Sequence, residues 1–143
     1  MTVKAILATK GHEVTTIEPK ASLADAAKLL SKHRIGAVIV MGADQRVAGM
    51  LSERDIVRAL SEGGAAALDI GVEQVMTRRV VTCSEADTVG ALMERMTSGK
   101  FRHLPVMEGG ELMGLLSIGD LVKEAIVEQA DLIRQLEHYI RGH

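Results

Sequence analysis

Two stretches of the chain combine residue types that can hold a sugar and a phosphate. The first is Gly49-Met50-Leu51-Ser52-Glu53-Arg54-Asp55; the second is Gly114-Leu115-Leu116-Ser117-Ile118-Gly119-Asp120. In each, a glycine and two apolar residues end a strand, serine stands where a helix begins, and aspartate follows three residues later. Serine caps a helix by accepting from its free N–H groups, and an acid at the third helical position closes a capping box. The same geometry has a second use. A helix start attracts phosphate, because its N–H groups are unpaired and the dipole is positive there. A carboxylate at that place can accept from both hydroxyls of a ribose. One copy would be a helix start and nothing more; two in matched context point to a duplicated unit.

The surrounding elements repeat as well. Val3 to Thr9 reads as a short helix ended by Gly11, and Val14 to Ile17 as a β-branched strand stopped by Pro19. Ser22 caps the next helix, with Asp25 completing a capping box and Leu23, Ala26, Ala27 and Leu30 on one face. Ala37 to Val40 is a continuously apolar strand, a pattern of burial on both faces. A polar turn from Gly42 to Arg46 leads to a strand over Val47 to Leu51, then a helix from Asp55 to about Ser61 with Ile56, Val57 and Leu60 inward. Gly63-Gly64-Ala65-Ala66-Ala67 is the one plausible linker.

The pattern then restarts at a period of roughly 65 residues. Val72 to Met76 echoes Val3 to Leu7, and Val80-Val81-Thr82 echoes the first strand. A helix follows with Val89, Leu92, Met93 and Met96 on one face. His103 to Met107 is a strand, Gly109-Gly110 a tight hairpin turn, and Glu111 to Leu116 its partner strand. Leu121, Val122 and Ala125 match Ile56, Val57 and Leu60. Each half therefore reads β-α-β-β-α, an α/β (α+β) fold. Past the second repeat the helical pattern runs on to about Ile140, with Ile126, Ala130, Ile133, Leu136, Tyr139 and Ile140 as an amphipathic stripe.

Composition narrows the function classes. The chain has 143 residues, 47% of them hydrophobic, which is enough for a sizeable core in one domain or two small halves. Phe101 and Tyr139 are its only aromatics, so an aromatic platform for single-stranded nucleic acid is not expected. The net charge of −2 lacks the basic surplus that nonspecific DNA binding needs. One cysteine, Cys83, precludes an intramolecular disulfide and reads as a strand residue in the place of Ile17. The histidines at 12, 33, 103, 138 and 143 have no zinc spacing. No phosphate-loop, nucleophile-elbow or zinc-protease motif occurs. No apolar run approaches the ~18 residues of a membrane span, and no secretory leader is read at the N-terminus. The expectation is a soluble cytoplasmic protein, and Met93 and Met96 read as core filling.

These motifs carry a resemblance. Val75-Met76-Thr77, Ile35-Gly36-Ala37-Val38, Phe101-Arg102-His103-Leu104-Pro105-Val106, Ser52-Glu53-Arg54-Asp55 and Ser117-Ile118-Gly119-Asp120 resemble the CBS-domain family. The order of the motifs is similar to that of a tandem CBS pair, or Bateman module, of the stand-alone bacterial kind. The resemblance implies two repeats packed about a pseudo-two-fold axis, at 1–66 and 67–127, with a helical extension at 128–143. It also implies clefts that bind an adenosine compound, a disc-like homodimer, and regulation of an unknown downstream protein rather than catalysis. AMP, ADP, ATP and NAD(H) are the expected ligands, with S-adenosylmethionine a further member of the class. No cofactor or metal, no nucleic acid and no membrane are expected.

The same resemblance assigns roles. Asp55 and Asp120 would hold ribose hydroxyls, although capping alone also explains them. Ser52 and Ser117 would cap and face the ribose or α-phosphate. Thr16 and Thr82, ending the first strands, would contact the base, as would the backbone of Gly36-Ala37 and Leu104-Pro105. Arg54 is a phosphate candidate, since a cation in a first helical turn opposes the dipole; its counterpart is Gly119, which would admit a larger ligand. Lys100, Arg102 and His103 form a basic cluster suited to polyphosphate. In the first half Arg34 stands alone and Gly36 replaces the histidine. A constitutive dimerisation or scaffold module with vestigial clefts is the rival reading, and a nucleotide hydrolase a weaker one, for want of a nucleophile and base.

Overall fold

Leu23, Ala26 and Leu30 recur at helical spacing, and their burial draws the Ser22-capped helix onto a sheet. The same logic orders the whole chain, which the computed structural model describes over residues 1–141. In chain order the elements are α1 (Val3–Lys10), β1 (Thr16–Ile17), α2 (Leu23–His33), β2 (Ala37–Met41), β3 (Val47–Ser52), α3 (Glu53–Gly63), α4 (Val89–Gly99), β4 (His103–Glu108), β5 (Glu111–Ser117) and α5 (Ile118–Ile140). Two short 3₁₀ turns, Gly64–Asp69 and Val72–Gln74, follow α3.

The chain forms two compact units, Glu13–Val81 and Met1–His12 with the chain from Thr82 on. In the first, β1 runs parallel to β2 and β2 antiparallel to β3. Its core joins Leu23, Ala26, Leu30, Val38, Val40, Leu51 and Ile56 to Val72 and Met76. In the second, β4 and β5 form an antiparallel hairpin whose turn residues Gly109 and Gly110 both have positive φ, as such a turn requires. Its core joins Leu92, Met96, Leu104, Val106, Leu116 and Leu121 to Val3, Ile6 and Leu7 of α1. Each sheet carries a register shift at the same place, Val40/Met41 and Val106/Met107.

The leading segments are thus exchanged between the sequence repeats. Helix α1 precedes the first repeat's sheet, yet belongs to the unit of the second. There Val3 N–H donates to Asp87 O at 2.9 Å and Lys4 N–H to Glu85 O at 3.0 Å, which satisfies two of its free amides. The Val72–Gln74 turn does the equivalent in the other unit, with Val72 N–H donating to Ala21 O at 2.8 Å. The motif glycines make room for these segments. A Cβ at Gly49 would lie 2.7 Å from both Met76 Sδ and Thr77 O, and a Cβ at Gly114 2.7 Å from Leu7 Cδ2. The expected repeat boundaries, 1–66 and 67–127, and these compact units are different divisions of the chain.

Three sequence expectations are corrected. No strand forms over Val80-Val81-Thr82; only Cys83 bridges, in parallel, to Val106. In the other unit Ile39 N–H donates to Thr15 O, but the matching position is Pro105, which has no N–H to give. The glycine-alanine stretch after α3 is a 3₁₀ turn with Ala67 buried, not a linker. Val57 and Val122 are exposed, at 63% and 39%, since one residue past Ile56 or Leu121 a helix has rotated about 100° off its core face.

Candidate functional site

Both Ser-x-x-Asp turns form complete capping boxes. Asp55 N–H donates to Ser52 Oγ at 3.3 Å and Ser52 N–H to Asp55 Oδ2 at 2.9 Å. At the second turn the distances are 3.2 and 2.8 Å. In both, the serine hydroxyl also donates to the aspartate Oδ2, at 3.1 Å. A cap of this kind contributes about 1 kcal/mol. The carboxylates therefore serve the fold, and their further partners decide what else they can do.

Those partners differ. Asp55 is 7% exposed, and Arg58 Nη2, one turn on in α3, donates to its Oδ1 at 2.8 Å. A charge this buried requires such a counter-ion. Asp120 is approached instead from another element: Lys10, in the last turn of α1, places Nζ 2.5 Å from Asp120 Oδ2 and 2.6 Å from Leu115 O. Burial pushes the Asp120 carboxyl up, but the Lys10 hydrogen bond, the Ser117 bonds and the Lys10 charge outweigh it and hold it below its ordinary value. Neither cation was singled out from the sequence. Arg58 was legible there, as a cation three residues past an acid on a helix. Lys10 was not, because 110 residues separate it from Asp120.

The strands set the rest. Ala37 pairs with Ser52 and His103 with Ser117, so Ala37 and not Gly36 stands in the place of the histidine. Gly36 matches Arg102: Glu53 N–H donates to Gly36 O at 2.9 Å, and Ile118 N–H to Arg102 O at 2.8 Å. Arg34 and Lys100 also correspond. Each follows the last residue of a helix, α2 or α4, in the left-handed region, φ 54° and 57°, a conformation costing about 1–2 kcal/mol outside glycine. Both cations are exposed, as are Arg54 and Arg102. His103 is half-buried at the start of β4.

In the unit Glu13–Val81, Arg34, Gly36, Glu53, Ile56 and Val57 help line a depression of about 490 Å³ beside α2 and α3. Thr16 lines a different one, of about 1000 Å³, with Met41, Gly42 and Gln45. Ser52 and Asp55 line neither. Thr82 is exposed, outside any strand, and its carbonyl accepts from Arg95 Nη2 at 2.9 Å. Leu104 and Pro105 are buried in β4, and the Pro105 carbonyl accepts Cys83 N–H at 3.0 Å. A Cβ at Gly119 would make an ordinary contact with Ser117 Oγ at 3.5 Å.

Among the described residues no group of three or more His, Cys, Asp or Glu side chains could hold a metal ion. His143 lies outside the described residues. Cys83 is buried, and burial foremost, with Asp87 adding and Arg95 opposing, pushes its thiol up to about 11. It is a poor nucleophile at neutral pH. No helix is long and apolar enough to cross a membrane among the described residues.

Comparison with known proteins gives one family. The model of the CBS domain matches twice, at residues 3–62 and 72–127. A mitochondrial CBS domain-containing protein of Arabidopsis thaliana is 32% identical over 122 residues, 82% of this chain. The chain spans 59% of that relative's length. The crystal structure of a CBS-domain containing protein from Agrobacterium tumefaciens is similar at 48% identity and a TM-score of 0.84, over 85% of this chain and 91% of that one. A CBS domain protein from Pyrobaculum aerophilum, complexed with AMP, is similar at 28% identity and a TM-score of 0.74, over 84% of this chain and 89% of that one.

Proposed function

The chain belongs to the CBS-domain family, and on that premise we propose that it is a non-enzymatic regulatory module that binds an adenine nucleotide at its two Ser-x-x-Asp turns. AMP, ADP, ATP or NAD(H) is the ligand class. The observation that carries the reading is the duplicated carboxylate: Asp55 and Asp120 each sit at a helix start with a capping serine and a cation, Arg58 on the first and Lys10 on the second. The AMP held by the Pyrobaculum aerophilum protein supports the same class of ligand. Each aspartate would take the ribose hydroxyls. Ser52 and Ser117, with the helix amides, would face the α-phosphate. Arg34 and Arg54 in one site, and Lys100, Arg102 and His103 in the other, would meet a phosphate chain. Thr16, Thr82 and the strand segments Gly36-Ala37 and Leu104-Pro105 would border the base.

Binding shifts a population of states that a downstream protein reads, by as much as the ligand's affinity differs between those states. The module acts as a homodimer in the cytoplasm. Exposed Val57 and Val122, and the uncovered apolar residues of α5, support a partner copy. A thermal-shift screen with AMP, ADP, ATP, NAD, NADH, GTP and S-adenosylmethionine tests the ligand assignment. An adenine compound at 100 times its dissociation constant should stabilise the fold by about 2.7 kcal/mol, and GTP much less. No shift with any adenine compound at millimolar concentration would favour a dimerisation scaffold.

A further inference from the structure

The two aspartates hold the same place in their turns but carry their donors differently. On Asp55 the load is shared, with Ser52 N–H and O–H on Oδ2 and Arg58 on Oδ1. On Asp120 three donors converge on Oδ2: Ser117 N–H at 2.8 Å, Ser117 O–H at 3.1 Å and Lys10 Nζ at 2.5 Å. A carboxylate offers about two acceptor sites per oxygen, so Oδ2 is oversubscribed. A vicinal diol that spans the carboxylate needs a place on that oxygen. The two Ser117 donors belong to the turn itself and hold the helix start. Lys10 comes from another element, α1, and can leave without undoing the cap.

Lys10 would not leave the neighbourhood. Its ammonium has three protons, and the bond to Leu115 O at 2.6 Å keeps one of them in place. A ligand that takes its seat on Asp120 turns a paired cation into an unpaired one beside the bound sugar. A neutral nucleoside leaves that charge without a counter-ion, whereas a phosphate supplies one. We propose that Lys10 guards the second site: it competes with the sugar for Asp120, and so makes binding there depend on a phosphorylated nucleoside. The inference rests on Asp120 being the ribose carboxylate.

Calorimetric titration of adenosine and of AMP into the wild type, Lys10→Met, Asp120→Ala and the Lys10→Met/Asp120→Ala double variant tests it. Lys10 is exposed at the end of α1, and Val3, Ile6 and Leu7 are the residues that bury that helix, so the methionine variant keeps its core contacts; Lys10→Gln serves as a second variant without the charge. With the pair partly exposed, at 38% and 25%, the effect is modest. Lys10→Met should bind adenosine about two- to fivefold tighter than the wild type. AMP should not share that gain, so the preference for AMP over adenosine should shrink. The gain should vanish when Asp120 is alanine. Unchanged or weaker adenosine binding in both Lys10 variants, or a gain that survives loss of Asp120, overturns the role of Lys10 while AMP binding by the wild type keeps the nucleotide reading intact. If neither the wild type nor the variants bind either compound, the nucleotide reading itself falls and this inference with it.

Discussion

Asp120 shows how many partners within the chain one carboxylate can serve. Its carboxylate closes a capping box and pairs with Lys10, and the balance leaves it more acidic than an ordinary aspartate, whose value is 3.8. A carboxyl depressed in the folded state contributes stability above its ordinary value and loses it as pH falls through the depressed one. The wild type should therefore lose stability on acidification below about pH 4 more steeply than Lys10→Met, which lacks the principal cation on Asp120. Urea denaturation across pH 2–7 reads this directly, and parallel acid limbs for the two proteins would contradict the pairing. At this scale the sequence was informative wherever partners are close in the chain. Ser52 with Asp55 and Ser117 with Asp120 could be read as capping boxes from their spacing alone. The Lys10 contact could not, because it depends on where α1 is carried by the fold.

Among the elements, the motif glycines explain why strands β3 and β5 accept a crossing segment so closely. The two sites differ in what a methyl group would strike. At Gly49 it meets the Thr77 carbonyl, backbone tied to Met50 in both directions at 3.0 and 2.9 Å. At Gly114 it meets the end of the Leu7 side chain, which has rotamers to offer. Gly49→Ala should cost about 1–3 kcal/mol, and Gly114→Ala clearly less, as measured by urea unfolding. Equal costs would mean that the Thr77 crossing yields as easily as a side chain. Helices α2, α4 and α5 and the β4–β5 hairpin were legible because capping residues, apolar period and turn glycines agree there. The strand expected over residues 80–82 was not, because one residue in its partner, Pro105, withholds the ladder donor. Residues 63–67 looked like a linker from composition, and the burial of Ala67 gives the stretch a structural role.

At the scale of the whole molecule, each compact unit takes the leading segment of the other sequence repeat, and α5 continues well past the core it begins in. Its first turns are covered, with Leu121 buried and Ile118 and Ala125 partly so against the cluster that holds α1. Beyond them Ile126, Leu132, Ile133, Leu136, Tyr139 and Ile140 are all more than half exposed within one chain. Their spacing suits a helix that buries a stripe against a partner. If that partner is a second copy, truncation after Val127 should lower the dimer fraction in light scattering at low micromolar concentration while nucleotide binding stays measurable. A fully dimeric truncated protein would assign the dimer contact elsewhere, with Val57 and Val122 the next residues to test.

The regulatory reading stands or falls on the paired carboxylates, and one calorimetric comparison addresses them together. AMP is titrated into the wild type and into Asp55→Ala/Asp120→Ala, each first shown to be folded by its melting curve. Loss of a carboxylate that accepts charge-assisted hydrogen bonds should weaken each site by about 1.5–3 kcal/mol, or roughly ten- to a hundredfold. The account predicts saturable AMP binding by the wild type and that loss in the double variant. AMP binding of equal affinity and stoichiometry in the two proteins would contradict it.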